Sequence, residues 1–438
     1  MKTGFHTHGR RIASVLLAAI LVVTLCACGA KSPANGTPAG TTGNSGNTAN
    51  VKEEDGFLMT YELAKQMNKE KFGVEVAQVS GSDTAENKYW EDGFIRMSNP
   101  EEQLADDQSQ FYNIVHNLEI TKSDGQTYTI YGYFQVPLNF NPEWLENPEG
   151  REWPVAIECH GYNTNSNGFL SAHWANAWTS QGYIAYAFDF VGGAPGQKEN
   201  YGRGVRSGLK DAEPWDEYGG GWDTMSVKTE VEDLDLVIDE IQKLDFVNTD
   251  YLCLLGQSQG GVVCALEAAE REKKCEAEDR DNDITGLVLV YPAFSFVNDM
   301  HTQYPTLEDM EAAIDPESGR IFIMGANIGP DYIKDCYEWG TYDEQLGEIT
   351  MYDMIRGYSN SVLIVTGSGD TTVDPSWSYN AINQLTSPYG DSQSTLVLVS
   401  NAQHAFDMMG STPVKQKLMA YNALVNYLQL NDLVPEQG

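Results

Sequence analysis

From Tyr112 onward the chain alternates apolar and polar positions with a regularity that the preceding residues lack. The stretch "IVHNLEITKSDGQTYTIYGYFQVP" changes side at nearly every step around Ser123-Asp124-Gly125. A turn triplet between two period-two runs predicts an antiparallel hairpin. Beyond it the pattern changes. Short continuous apolar runs predict buried strands over 155–158, 184–188, 251–255, 286–290, 361–366 and 395–399. Helical patterns fall between several of them. In "VKTEVEDLDLVIDEIQKL", Val227, Val231, Leu234, Ile238 and Ile241 recur at three- and four-residue steps, so one face of a helix is apolar. A last helix is expected over about 413–430 by the same logic. Short buried strands alternating with amphipathic helices define an α/β class: a mostly parallel central sheet with crossover helices. Two stretches break the rhythm, a Gly- and aromatic-rich loop over 191–225 and a weakly patterned insertion over about 294–358. Connections this long carry either function or a small structure of their own. There is no internal repeat.

The start of the chain follows different rules. Lys2, Arg10 and Arg11 precede an apolar stretch over 12–27, the order of charge and hydrophobicity in an export signal. A membrane span needs about 20 apolar residues, so this one is short. It closes on Leu25-Cys26-Ala27-Cys28-Gly29, which resembles the lipobox of bacterial lipoproteins. By that resemblance residues 1–27 are a signal peptide and Cys28 becomes the lipidated first residue of the mature chain. Residues 28–52 read as a flexible tether, because small polar types dominate and little apolar surface is available to offset ordering entropy. The expected location is the outer face of the cytoplasmic membrane, reached by export and held by the lipid anchor. Residues 53–111 are charged, with one weak helical stretch near 61–71, and read as a peripheral N-terminal region; 112–435 is the α/β domain.

Charge narrows the partners. The formal net charge is −36 and becomes −39 without the signal, which argues against nucleic acid and anionic surfaces as partners. Solubility of an exposed protein accounts for it. Five cysteines follow Cys28, an odd number without C-x-x-C spacing, so neither a disulfide framework nor a zinc site is indicated. Cys159 and Cys253 sit in apolar strand contexts and read as small core residues.

The chemistry begins at "LCLLGQSQGG". Gly256-Gln257-Ser258-Gln259-Gly260 fits G-x-S-x-G, set between a predicted strand and a predicted helix. In that context the turn projects the Ser258 hydroxyl above the sheet edge, and the helix N-terminus behind it favours developing negative charge. A serine nucleophile needs a base, and the base needs an orienting carboxylate. With this motif the chain order is serine, acid, histidine. Only His301 and His404 follow Ser258; His301 lies in the insertion, whereas His404 in "VLVSNAQHAFD" comes just after a strand and is the candidate base. For the acid, "VLIVTGSGDTTVDP" offers Asp370, nearer the strand, and Asp374 as runner-up. Two backbone donors are needed for the oxyanion. The N–H of Gln259 is one, and "VAIECHGYNTN" supplies the other through Tyr162. His160, ahead of the serine and inside that loop, reads as structural.

Taken together, "HGY", "AFDFVG", "TMSVKTEVEDLDLVIDEI", "GQSQGG", "TGSGDTTVDP" and "NAQHAFD" resemble the bacterial cinnamoyl (feruloyl) esterase branch of the α/β-hydrolase fold, and the serine aminopeptidase-like hydrolases near it, over about 112–430. The resemblance implies a triad of Ser258, Asp370 and His404, oxyanion donors at Tyr162 and Gln259, and a substrate-binding inserted cap at about 294–358. Tyr162 stands where that family usually has phenylalanine, the loop over 191–225 is longer, and the N-terminal region has no counterpart. These departures bear on substrate rather than on chemistry. The expected activity is cleavage of a small-molecule carboxylic ester through an acyl-enzyme, with no metal and no cofactor required. Acyltransferase, thioesterase or peptidase action on the same triad remains open at this point, as does a tethered binding protein without catalysis. Phe294, Phe296, Tyr304, Phe322, Tyr332 and Trp339 would suit an apolar or aryl acyl group, or else form the insertion's own core.

Overall fold

A computed structural model describes residues 63, 95–97, 111–164, 166, 172–191, 224–338, 350–385, 394–407 and 414–435. The signal, Cys28, the tether, the stretch near 61–71 apart from Leu63, the loop at 192–223 and Trp339 lie outside the described residues.

The six apolar runs become parallel strands because both faces of the sheet are covered. These are β6 (Trp153–Cys159), β7 (Ile184–Phe188), β8 (Val247–Gln257), β9 (Gly286–Val290), β12 (Ser361–Gly367) and β13 (Thr395–Val399). Along β8, Leu252 and Leu254 pack into one core layer while Cys253 and Leu255 pack into the other. The first layer is closed by α2 (Val227–Ile241) and α3 (Gln259–Ala277), the second by α1 (Ala172–Ser180) and α9 (Val414–Leu430). Each leucine buried this way contributes about 1.5–3 kcal/mol. In α2 the five apolar residues at helical spacing are all buried, and Ser226 caps the first turn through a reciprocal bond with Thr229.

Antiparallel strands extend one side of the sheet: β1 (Ile95–Met97), β2 (Phe111–Val115) and β5 (Gly132–Pro137). The expected hairpin forms as β3 (Leu118–Thr121) and β4 (Thr127–Ile130), a separate two-stranded sheet beside α2. Lys122 pins it there, 2.7 Å from the buried Asp233 carboxylate. Among the described residues the central sheet has nine strands in the order β1-β2-β5-β7-β6-β8-β9-β12-β13. From β6 the chain moves through α1 to β7 on one side, then through α2 to β8 on the other. That reversal opens a crevice above the carboxyl ends of β6 and β8, where open α/β sheets hold their ligands. The arrangement is the α/β-hydrolase fold. To the six expected strands it adds the antiparallel β1, β2 and β5, with β1 an edge strand from the segment over 53–111.

The insertion leaves after β9 and returns at β12. It holds α4 (Phe296–Gln303), α5 (Leu307–Ala312), a hairpin of β10 (Ile321–Ile323) and β11 (Ala326–Ile328), α6 (Asp331–Glu338) and α7 (Thr350–Ile355). A further helix, α8 (Ser376–Leu385), separates β12 from β13. Arg271 on α3 is buried and meets Glu267, Asp235, Asp239 and Asp283 at 2.5–2.9 Å, locking α3 to α2. No helix among the described residues is long and apolar enough to cross a membrane.

One buried acid sets a pH response. Glu158 on β6 accepts a bond from Trp178 Nε1 at 3.1 Å through one oxygen, and its other oxygen has no hydrogen-bond partner among the described residues. Burial pushes its pKa up to about 8, so the folded state holds the proton that the unfolded chain releases near the ordinary carboxyl range. The contribution is fully present below the unfolded pKa and is lost as pH rises toward 8, at about 1.4 kcal/mol per pH unit. Glu158→Gln should therefore melt with a shallower decline in midpoint between pH 5 and pH 8 than the wild type. Parallel melting curves across that range would remove Glu158 as the source.

Candidate active site

The turn after β8 is forced by its neighbours. A methyl at Gly256 would lie 2.2 Å from the Gly260 carbonyl oxygen, and one at Gly260 would lie 2.4 Å from the carbonyl oxygens of Cys159 and His160. Glycine at both ends lets strand and helix close to within contact. Between them Ser258 is held at φ 52° and ψ −116°, a left-handed backbone that L-residues adopt at a cost of order 1–3 kcal/mol. The surroundings impose it: Ser258 N–H donates to Val290 O, and Ser258 O accepts from Ala293 N–H, each at 2.9 Å. Ser258 is also the N-cap of α3, and its side chain makes no capping bond. Its hydroxyl is left for another partner.

That partner is His404. Ser258 Oγ lies 3.0 Å from His404 Nε2, and His404 Nδ1 lies 2.7 Å from Asp370 Oδ2. The carboxylate can only accept from Nδ1, so Nδ1 carries the imidazole proton and Nε2 is free to accept from the hydroxyl. The Asp370 side chain is fully buried and that of His404 is 18% exposed. Asp370 Oδ1 is fixed separately by the N–H groups of Thr372 and Val373, each at 2.9 Å. The loops after β12 and β13 are tied together as well, through Gly369 N–H to Ala402 O at 3.0 Å and Asn401 N–H to Ser368 Oγ at 2.7 Å.

Asp374, the other aspartate that the sequence leaves open, accepts from Ser376 N–H at 2.8 Å at the start of α8. Those bonds hold its carboxyl below the usual range. His301 sits on α4, edge-on to Tyr337. His160 accepts from Phe190 N–H at 3.3 Å through Nε2, so its Nδ1 donates to Gly161 O at 2.9 Å. Burial lowers its pKa, opposed by Asp189, and it stays neutral as part of the loop's frame.

The segments that carry the two expected oxyanion donors lie next to the serine. Gln259 is the first residue of α3, where a main-chain N–H has no intrahelical acceptor. Gly161, next to Tyr162, is so close that a methyl on it would stand 3.0 Å from Ser258 Cβ. The Tyr162 hydroxyl donates to Ile323 O in the insertion at 2.7 Å.

Several neighbours escape a reading of sequence. Asp407 is buried and accepts from Trp174 Nε1 at 2.6 Å, Gln257 Nε2 at 2.8 Å and the Tyr291 hydroxyl at 2.7 Å. It links the residue before Ser258 to the loop carrying His404, whose ring packs on Tyr291 at 4.8 Å. Its one signal is an aspartate three residues past the histidine. Glu230 on α2 is buried and accepts from Gln259 Nε2 at 2.6 Å, while Gln259 Oε1 accepts from the Tyr332 hydroxyl at 2.7 Å. Desolvation pushes Glu230 up to about 8. Its position, three after Val227 and four before Leu234, puts an acid on the apolar stripe, which is the signal available. Of the aromatic residues in the insertion, Phe294, Phe296 and Tyr332 are buried, and Phe322 is 57% exposed. The first three join the core layer that also holds Leu252 and Leu254.

Residues 154–316 match the family model described as serine aminopeptidase, S33. Among solved structures the chain is similar to Est1E from Butyrivibrio proteoclasticus at 19% identity, over 72% of this chain and 98% of that one, with a TM-score of 0.46. The structure of Est1E with ferulic acid bound is similar at 19% identity, over 72% and 99%, with a TM-score of 0.46. The esterase domain of a Rhodothermus marinus protein is similar at 12% identity, over 72% and 98%, with a TM-score of 0.42. No curated protein matches this chain.

Proposed function

We propose that this α/β-hydrolase-fold chain is a serine hydrolase that cleaves a carboxylic ester of a small molecule through an acyl-enzyme. The observation that carries the reading is the continuous line from Ser258 Oγ to His404 at 3.0 Å and from His404 to Asp370 at 2.7 Å. A strained serine at a helix N-terminus, with an imidazole acceptor on its hydroxyl and a buried carboxylate behind the imidazole, is the arrangement that activates an alcohol near neutral pH.

Ser258 Oγ attacks the ester carbonyl as its proton passes to His404 Nε2. Asp370 keeps the imidazole in the accepting tautomer and stabilises the imidazolium that forms. The negative charge on the tetrahedral oxygen meets the N–H groups of Gln259 and Tyr162 at the positive end of α3. Collapse breaks the bond to the alcohol, which leaves with the proton from His404. Water then enters as the second nucleophile and gives its proton to His404, which passes it to Ser258 Oγ as the acyl–oxygen bond breaks and the acid leaves.

A fluorophosphonate probe tests the assignment. One equivalent should attach to Ser258 in the wild type, located by peptide mass, and none to Ser258→Ala. Equal labelling of the two proteins, or no labelling of either, would mean that Ser258 is not a nucleophile and that the chain binds rather than hydrolyses.

A further inference from the structure

Resting on that reading, we infer that the insertion is part of the catalytic machinery: Tyr332 and the β10 backbone act as positioning groups for the two oxyanion donors. On that reading Tyr162 and Gln259 supply the main-chain N–H groups for the developing charge, and the insertion grips the side chain of each. The Tyr162 hydroxyl donates to Ile323 O at 2.7 Å, and the Tyr332 hydroxyl donates to Gln259 Oε1 at 2.7 Å. The two phenol rings also touch, with centroids 5.6 Å apart. Ile323 and Tyr332 are buried, as is Gln259, so these bonds face little competition from water. From below, Glu230 on α2 accepts from Gln259 Nε2 at 2.6 Å. The Gln259 amide is thus fixed on one side by the main fold and on the other by the insertion.

Neither tyrosine hydroxyl reaches the reacting atoms through these contacts; each acts on the loop that does. An oxyanion donor works only where its N–H is aimed before charge appears, and removing one outright costs about 10²- to 10³-fold. Loss of a hydroxyl that aims the donor should cost less, about 10-fold, and should fall on kcat rather than KM. The aromatic ring at position 162 packs equally well with or without its hydroxyl. The phenol there serves to reach Ile323 O.

The test uses the full chain with 4-nitrophenyl acetate, whose acyl group is too small to need a pocket wall. Wild type and Ser258→Ala are compared first; if their turnover is equal, the hydrolase reading itself is wrong. Given Ser258-dependent turnover, Tyr332→Phe and Tyr162→Phe should each lower kcat about 10-fold with KM within about twofold. Affinity for a trifluoromethyl ketone, which captures the serine as a tetrahedral oxyanion, should fall in parallel with kcat/KM. The double variant should lose less than the product of the singles, because both act through one seam. Thermal melts identify any loss that only follows a smaller folded fraction. Unchanged kcat in both single variants overturns the inference. A raised KM at constant kcat, or turnover that falls without weaker ketone binding, overturns it as well.

Discussion

Replacing Ser258 by alanine lowers ester turnover by about 10⁴- to 10⁶-fold while the melting temperature stays near that of the wild type. Among the described residues the hydroxyl makes no capping bond and bonds only to His404, so its removal leaves the turn and both core layers in place. His404→Ala should fall as far, because without an acceptor on Oγ the alcohol remains protonated. The double variant should be little worse than either single one, since the two groups act as a unit. Steady-state rates with 4-nitrophenyl acetate, read against the uncatalysed reaction, check all three. Retention of a tenth of wild-type activity by Ser258→Ala would place the nucleophile elsewhere.

Asp370→Asn should cost about 10⁴-fold in kcat, whereas Asp374→Asn should stay within about twofold of the wild type. The asymmetry follows from hydrogen-bond direction. The N–H groups of Thr372 and Val373 require an acceptor at one end of the residue 370 side chain. An asparagine satisfies them with its carbonyl and so turns its NH₂ toward His404 Nδ1. That forces the proton onto Nε2, the atom that must accept from Ser258. The fold survives and the base is in the wrong tautomer. At position 374 an asparagine carbonyl still accepts from Ser376 N–H, and nothing there reaches the histidine. The reverse ranking would assign the acid to Asp374.

The parallel half of the sheet was legible from the chain because its strands are buried on both faces and read as unbroken apolar runs, Leu252 to Leu255 being one. The helix α2 was legible because its stripe is long enough for the period to repeat. The edge strand β1 was not: three residues in a charged segment carry no period. Nor was the interior of the insertion, where helices of six to eight residues complete barely two turns. For the site, motif order narrowed the choice to one serine, two histidines and two aspartates. Separating Asp370 from Asp374 took the position of each carboxyl, because both follow the same strand within a few residues. Asp407, Glu230 and Tyr332 were hidden for a different reason. Each matters through partners 29 to 233 residues away, a separation at which sequence spacing says nothing.

The place of the insertion in the sheet bears on how this scaffold can diversify. β9 and β12 are parallel neighbours in register from Gly286 opposite Ser361 to Val290 opposite Val365, so the intervening chain leaves the carboxyl edge of one strand and crosses back to begin the strand beside it. Doubling such a connection costs only about 0.6 kcal/mol of closure entropy, which leaves its length and composition open to drift. The connection can therefore be rewritten there without disturbing the neighbouring strands. A transplanted substitute would still have to offer a carbonyl to the phenol at 162 and a hydroxyl to the amide at 259, so exchange is a matter of two matched fittings rather than free replacement.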